Sequence, residues 1–335
     1  MIDRTASVEP AVTGAGAVPS RRPIGRRVLR TVLGLMLATG AAFAGWRLWD
    51  DASLADLPSD VRLLPLVLAF ALSCSASATH PPLWLALYRG LGGRLAVRDA
   101  YRIYLVTMLG KYVPGKVMLV AGRVAMLRDR GEPAAVAVTS TALEVLLTLL
   151  AATIAAVVCV PALLWEWGLA DRANPAAWAL LLALPAGLVG LHPRVLGPSL
   201  RLAARLVPGR TGAMPTRAPS YRVVLLVASG HLLQRVVGGC GLLAVTWSVH
   251  PLGVEWLPFL MGTAAISHLV AFSVPIAPAG LGIREGVMGL LLATAMPAPA
   301  AAIVTVLSRV LNVSAELGAA GIAVAARSDA RDATA

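Results

Sequence analysis

The sequence predicts an all-α fold, a polytopic transmembrane helix bundle of about eight spans with some helices broken or re-entrant. Three observations predict it. Hydrophobic residues make up 58% of the 335-residue chain and charged residues only 14%, against roughly 25% charged in soluble globular domains. Apolar runs of about 20 residues, the length that crosses a bilayer, recur along the chain. The basic residues are gathered in short segments between those runs, which is how a membrane protein sets its orientation.

Residues 1–27 are polar, then basic, with Arg21, Arg22, Arg26 and Arg27 ahead of Arg30. This stretch reads as a disordered cytoplasmic tail. No convincing small-residue cleavage site follows, so the next segment reads as a retained helix and not as a signal peptide. The candidate spans are 29–49, 61–81, 133–160, 176–192, 223–249, 256–276, 284–297 and 299–325. The seventh is short enough to be a half-helix. Together they define a membrane domain over 28–326, followed by a short cytoplasmic tail over 327–335. Residues 100–122, between the second and third spans, are moderately apolar but interrupted by Gly, Lys and Pro. They have Arg on both flanks and read as a re-entrant segment.

Loop charges agree. The segments before the first span, between the second and third, and between the fourth and fifth are rich in Arg. The opposite loops carry Asp50, Asp51, Asp56 and Asp60, then Glu166 and Asp171, then Glu255. The positive-inside rule then puts both termini in the cytoplasm of a cell with this protein in its cytoplasmic membrane. Seven tryptophans (Trp46, Trp49, Trp165, Trp167, Trp178, Trp247 and Trp256) fall near span ends on the outer side, as an interfacial belt does. The net charge of +12 is thus accounted for by the membrane, and no nucleic-acid partner is expected. Cys74, Cys159 and Cys240 lie in apolar segments and read as small buried filler.

Of the 29 basic residues, 27 are Arg. The only two lysines, Lys111 and Lys116, share one stretch, Gly110-Lys-Tyr-Val-Pro-Gly-Lys116, with Gly122-Arg123 further on. A second interruption reads Pro275-Ile-Ala-Pro278-Ala-Gly280-Leu-Gly282-Ile-Arg284-Glu285-Gly286. Irregular backbone at membrane depth is tolerated only where protein or a water-filled cavity satisfies it. Paired interruptions, one in each half of a transporter-like chain, point to a substrate site. A helix starting near Pro114 puts Lys116 in its first turn, and one starting near Gly282 does the same for Arg284. A cation there opposes the helix dipole, and a bound anion reverses the sign. A lipid-headgroup site is therefore expected from Lys111, Tyr112, Pro114, Gly115, Lys116, Arg123, Gly280, Gly282, Arg284 and Glu285. The alternative is a pair of ordinary Pro/Gly kinks with snorkelling basic side chains.

A second set of polar residues lies within the spans: Glu144, then His231, Gln234 and Arg235 on one face, His268, and Arg309, Asn312 and Glu316 on another face. Such groups are expensive in a bilayer and normally face the bundle interior in pairs. They could line a transport route or lock the bundle. The histidines lack metal-ligand spacing, so no metal or cofactor is expected. Glu144 follows the first interruption and Glu316 the second at similar distances, an echo compatible with an inverted repeat.

The two motifs together resemble the membrane domain of the lysylphosphatidylglycerol synthase family, over roughly residues 30–325. That domain also occurs alone, in flippase-like proteins. The resemblance implies a helical domain with re-entrant elements that moves an anionic phospholipid or a lipid-linked intermediate. In the full-length synthases a soluble aminoacyl transferase domain follows; residues 327–335 leave no room for it, so synthesis of aminoacylated lipid is not expected. The competing reading is a membrane accessory protein or an intramembrane enzyme of a lipid-linked glycosyl or phosphoryl transfer pathway. The carboxylate cluster such an enzyme needs is not evident, and no enzymatic activity is expected.

Overall fold

A computed structural model of the chain describes residues 61–113, 117–166, 218–274 and 277–325. Within them the structure is helical, without a strand. Eight α-helices follow one another: α1 (Leu63–Gly90), α2 (Val97–Met108), α3 (Val117–Arg128), α4 (Ala134–Glu166), α5 (Tyr221–Val249), α6 (Leu257–Ser273), α7 (Ile283–Leu292) and α8 (Ala298–Ala325). Three 3₁₀ turns, Leu109–Tyr112, Val254–Trp256 and Pro278–Gly280, punctuate them.

Among the described residues, five segments are long and apolar enough to cross a membrane: Leu63–Gly90, Ala134–Cys159, Tyr221–Val249, Val254–Ser273 and Ala298–Ala325. The described residues are therefore all-helical, with the several apolar helices of a membrane protein. Large apolar side chains are turned outward, with Leu64 81% and Ile322 73% exposed, as expected where the solvent is lipid. The expected spans 29–49 and 176–192 lie outside the described residues. The expected seventh span, 284–297, is a different object. Helix α7 has ten residues, about 15 Å at 1.5 Å per residue, half the hydrocarbon thickness. It ends in turns at Thr294 to Met296, ahead of Pro297. Helices α2 and α3, 12 residues each, are about 18 Å long and equally unable to cross alone.

Helix α1 runs nine residues beyond the expected end at 81, through Pro81 and Pro82. Both prolines lack the N–H that would close the helical ladder onto residues 77 and 78. Side chains in the two turns before them donate to other main-chain carbonyls of the helix. Ser73 Oγ donates to Ala69 O at 2.9 Å, and Thr79 Oγ1 to Ala76 O at 2.8 Å.

Helix α1 packs along α5, α4 packs against α6, and α8 touches α1, α2, α5 and α7. Two apolar cores result. One joins the C-terminal half of α1 to α2, α3 and the start of α4 and α5, around Trp84, Tyr88, Ile103, Leu127 and Leu143. The other joins α5 through α8, around Leu243, Phe259, Leu260, Leu292 and Val304. The candidate site draws its lining in part from both, from Tyr104 of the first and Leu242 and Met288 of the second.

Candidate functional site

The first interruption is the 3₁₀ turn Leu109–Tyr112, after which Val113 is extended. A Cβ on Gly110 would stand 2.6 Å from the backbone nitrogen of Leu119, so only glycine lets this turn lie against α3. Pro114, Gly115 and Lys116 are outside the described residues. The second interruption follows the end of α6 at Ser273. Ala279, Gly280 and Gly282 all have positive φ, and a Cβ on Gly280 would meet Ala271 at 2.7 Å. Gly282 then caps α7, which places Arg284 in the first turn.

The two interruptions meet in space: the turns Leu109–Tyr112 and Pro278–Gly280 are in contact. Tyr112 and Val313 form a small buried cluster with Leu109, Ala279, Leu281 and Leu317 around it. That cluster joins both breaks to α8.

Beside it opens a cavity of about 210 Å³. Lys111 from the first break and Arg284 from the second line it, with Gln234 and Arg235 of α5, His268 of α6, and Asn312 and Glu316 of α8. Of the residues that the sequence marks, these seven share one space. Tyr112 reaches it through Glu316.

The charges in this space are unequal. Lys111 Nζ pairs with Glu316 Oε1 at 2.6 Å, and Tyr112 Oη donates to Glu316 Oε2 at 2.8 Å. Arg235 and Arg284 make no ion pair with any described residue. Arg235 sits mid-way along the 29-residue α5, and its Nε is buried without a hydrogen-bond acceptor. An isolated charge at that depth costs several kcal/mol unless an anion or water meets it. The lining thus holds three cations and one carboxylate.

Glu285 and Arg309 sit behind the cavity wall. Glu285 Oε2 accepts the Gly282 N–H at 2.7 Å, and Oε1 faces Arg309 Nε at 3.0 Å. Arg309 Nη2 donates to the carbonyl of Ala279 at 3.2 Å. The N-terminus of α7 therefore carries a carboxylate of its own chain, and Arg309 ties that carboxylate to the strained turn. Gly280 and Gly282 contribute through backbone shape.

Arg123 is placed elsewhere. It is 1% exposed and does not line the cavity. Its Nη1 donates to Glu144 Oε2 at 2.7 Å and to Thr141 Oγ1 at 3.2 Å. Its Nε donates to Thr107 Oγ1 at 3.3 Å. The guanidinium also lies 4.8 Å from the ring centre of Trp84 and 4.4 Å from that of Tyr104, within cation–π range. Tyr104 Oη donates to the other oxygen of Glu144. The expected echo between the two halves takes a different form here. Glu144 and Glu316 each pair with a cation of the first interruption, Arg123 and Lys111, and neither pairs with Arg284.

His231 is fully buried. Its Nδ1 meets Gln234 Oε1 at 2.8 Å, and Gln234 Nε2 donates to Thr79 Oγ1 at 2.9 Å. This network ties α5 to α1. His80 and Tyr104 are among the cavity residues that the sequence does not single out. His80 was legible in principle: Ala69, Leu72, Ser73, Ala76, Ser77 and His80 all line the cavity and follow the three- and four-residue steps of one helical face. Tyr104 had no comparable signal.

The chain matches no protein-family model and no curated protein.

Proposed function

We propose that this protein is a translocase for an anionic phospholipid or a lipid-linked intermediate, working in the cell membrane with both termini in the cytoplasm. The observation that carries the reading is the pair of cations Arg235 and Arg284, without an ion pair among the described residues, facing the cavity where the two interruptions meet. A headgroup phosphate meets both guanidiniums there and removes the cost of leaving them bare. Lys111 is the third cation of the lining, held by Glu316 until a ligand competes for it. The short helices α2, α3 and α7 leave part of the membrane thickness to irregular backbone and polar side chains, the setting in which transporters place their sites. The resemblance of the two motifs to the lysylphosphatidylglycerol synthase membrane domain points the same way. The proposed activity is movement of lipid.

The test is translocation of labelled phospholipid in proteoliposomes, comparing the parent chain with Arg284→Gln. Transport by the parent that falls by about tenfold or more in the variant, as loss of one charge-assisted contact of about 1.5–3 kcal/mol would give, supports the reading. A parent that moves no anionic lipid contradicts it.

A further inference from the structure

Charge in the cavity restricts the headgroup further than a general preference for anions. Of the three cations in the lining, Lys111 is already neutralised at 2.6 Å by Glu316, and that carboxylate is held by Tyr112 as well. The nearest other acid, Glu285, is occupied by the Gly282 N–H and Arg309. Glu144 is occupied by Arg123 and Tyr104. No carboxylate among the described residues is therefore available to Arg235 or Arg284.

The two arginines come from different elements, α5 and the first turn of α7, and line one cavity. His80 also faces this space, with Nδ1 engaged at 2.7 Å to the carbonyl of Ala76. A zwitterionic headgroup brings a cation into a space that already has a positive excess. A phosphodiester brings one negative charge and leaves one arginine bare. A phosphomonoester or pyrophosphate headgroup brings close to two charges near neutral pH, and its several acceptor oxygens let both guanidiniums bind in their forked geometry.

We infer that the cavity selects a doubly charged phosphate headgroup, a phosphomonoester or pyrophosphate ester, over a singly charged phosphodiester, with Arg235 and Arg284 each meeting one of the two charges. The inference rests on the translocase reading for transport, but its binding half stands apart from that reading.

The experiment uses the full chain in proteoliposomes at pH 8 with labelled phosphatidic acid, phosphatidylglycerol and phosphatidylcholine of matched acyl chains. In parallel, the melting temperature of the detergent-solubilised protein is measured with each lipid and with inorganic pyrophosphate. The expected result is phosphatidic acid moved about tenfold faster than phosphatidylglycerol, the scale of one extra charge contact in a partly buried site. Phosphatidylcholine is expected to be slowest. In Arg284→Gln and in Arg235→Gln that preference should fall to about twofold or less, because only one charge is left to match. Arg130→Gln, outside the cavity on an exposed ion pair with Asp99, should leave it unchanged. Equal rates for phosphatidic acid and phosphatidylglycerol in the parent overturn the inference and leave the translocase reading standing. If no lipid moves but phosphatidic acid raises the melting temperature more than phosphatidylglycerol does, the charge match stands and the translocase reading fails. Stabilisation by pyrophosphate as well shows that the headgroup charge alone is enough; stabilisation by phosphatidic acid only shows that the acyl chains are needed too. Neither transport nor selective stabilisation overturns both.

Discussion

Arg123 and Arg284 belong to the two interrupted motifs and look equivalent in the sequence, yet the structure gives them opposite surroundings. Arg123 is sealed between Trp84 and Tyr104, with Glu144, Thr141 and Thr107 as partners. Arg284 faces a cavity and has no ion pair among the described residues. A buried cation paired with a carboxylate locks helices together, even with Arg123 Nη2 left without an acceptor, and removing that carboxylate exposes the whole desolvation cost. A cation without partners contributes little to the fold, and its free donors are available to a ligand. Position in a motif does not distinguish these roles; the nearest carboxylate does.

The largest expected effect is on the locked side. Glu144→Ala leaves Arg123 buried without its counter-ion and should cost about 3–5 kcal/mol, read as a drop in melting temperature or failure to accumulate in the membrane. A Glu144→Ala protein that melts like the parent would break the contrast. Next comes the open side. Arg235→Gln should leave the melting temperature in lipid-free detergent equal to or above that of the parent, since it removes an uncompensated cation, while lipid translocation falls about tenfold. A large loss of stability there would mean that Arg235 is structural.

Lys111 and Glu316 form the intermediate case, because their pair is about one-fifth to one-quarter exposed. Lys111→Met should destabilise by about 1–2 kcal/mol, less than a fully buried pair. The double variant Lys111→Met, Glu316→Gln should recover part of that loss in a double-mutant cycle. Full additivity of the two single effects would show that the pair is not coupled. The smallest effect belongs to Arg130, whose pair with Asp99 at 2.8 Å is solvent-exposed. Arg130→Ala should change the melting free energy by less than about 1 kcal/mol.

Much of this arrangement could be read from the sequence. The helical fold, the interruptions at Gly110 and Gly282, and the placing of Arg284 in a first helical turn follow from apolar run length and from Pro and Gly chemistry, which are local. Whether the two breaks meet is open in the sequence, and the fold brings them together. What could not be read was partner choice. In the sequence Glu285 reads as a headgroup residue, but its carboxylate is three residues from the orphan N–H of Gly282, and it caps its own helix. Arg123 reads as one too, because nothing local shows that Glu144 and two aromatic rings close around it. Lys111 and Glu316 are 205 positions apart, and no spacing rule links residues so distant. Of the eight expected spans, five are found among the described residues and two, 29–49 and 176–192, lie outside them; the seventh is instead the ten-residue α7, whose apolar run continues past its turn.

The central claim is that the cavity holds an anionic headgroup against Arg235 and Arg284. Native mass spectrometry of the detergent-purified protein tests it directly, comparing the parent with the double variant Arg235→Gln, Arg284→Gln. The account predicts a bound anionic lipid that survives purification with the parent and is lost from a folded double variant. Equal retention of anionic lipid by both proteins would contradict it.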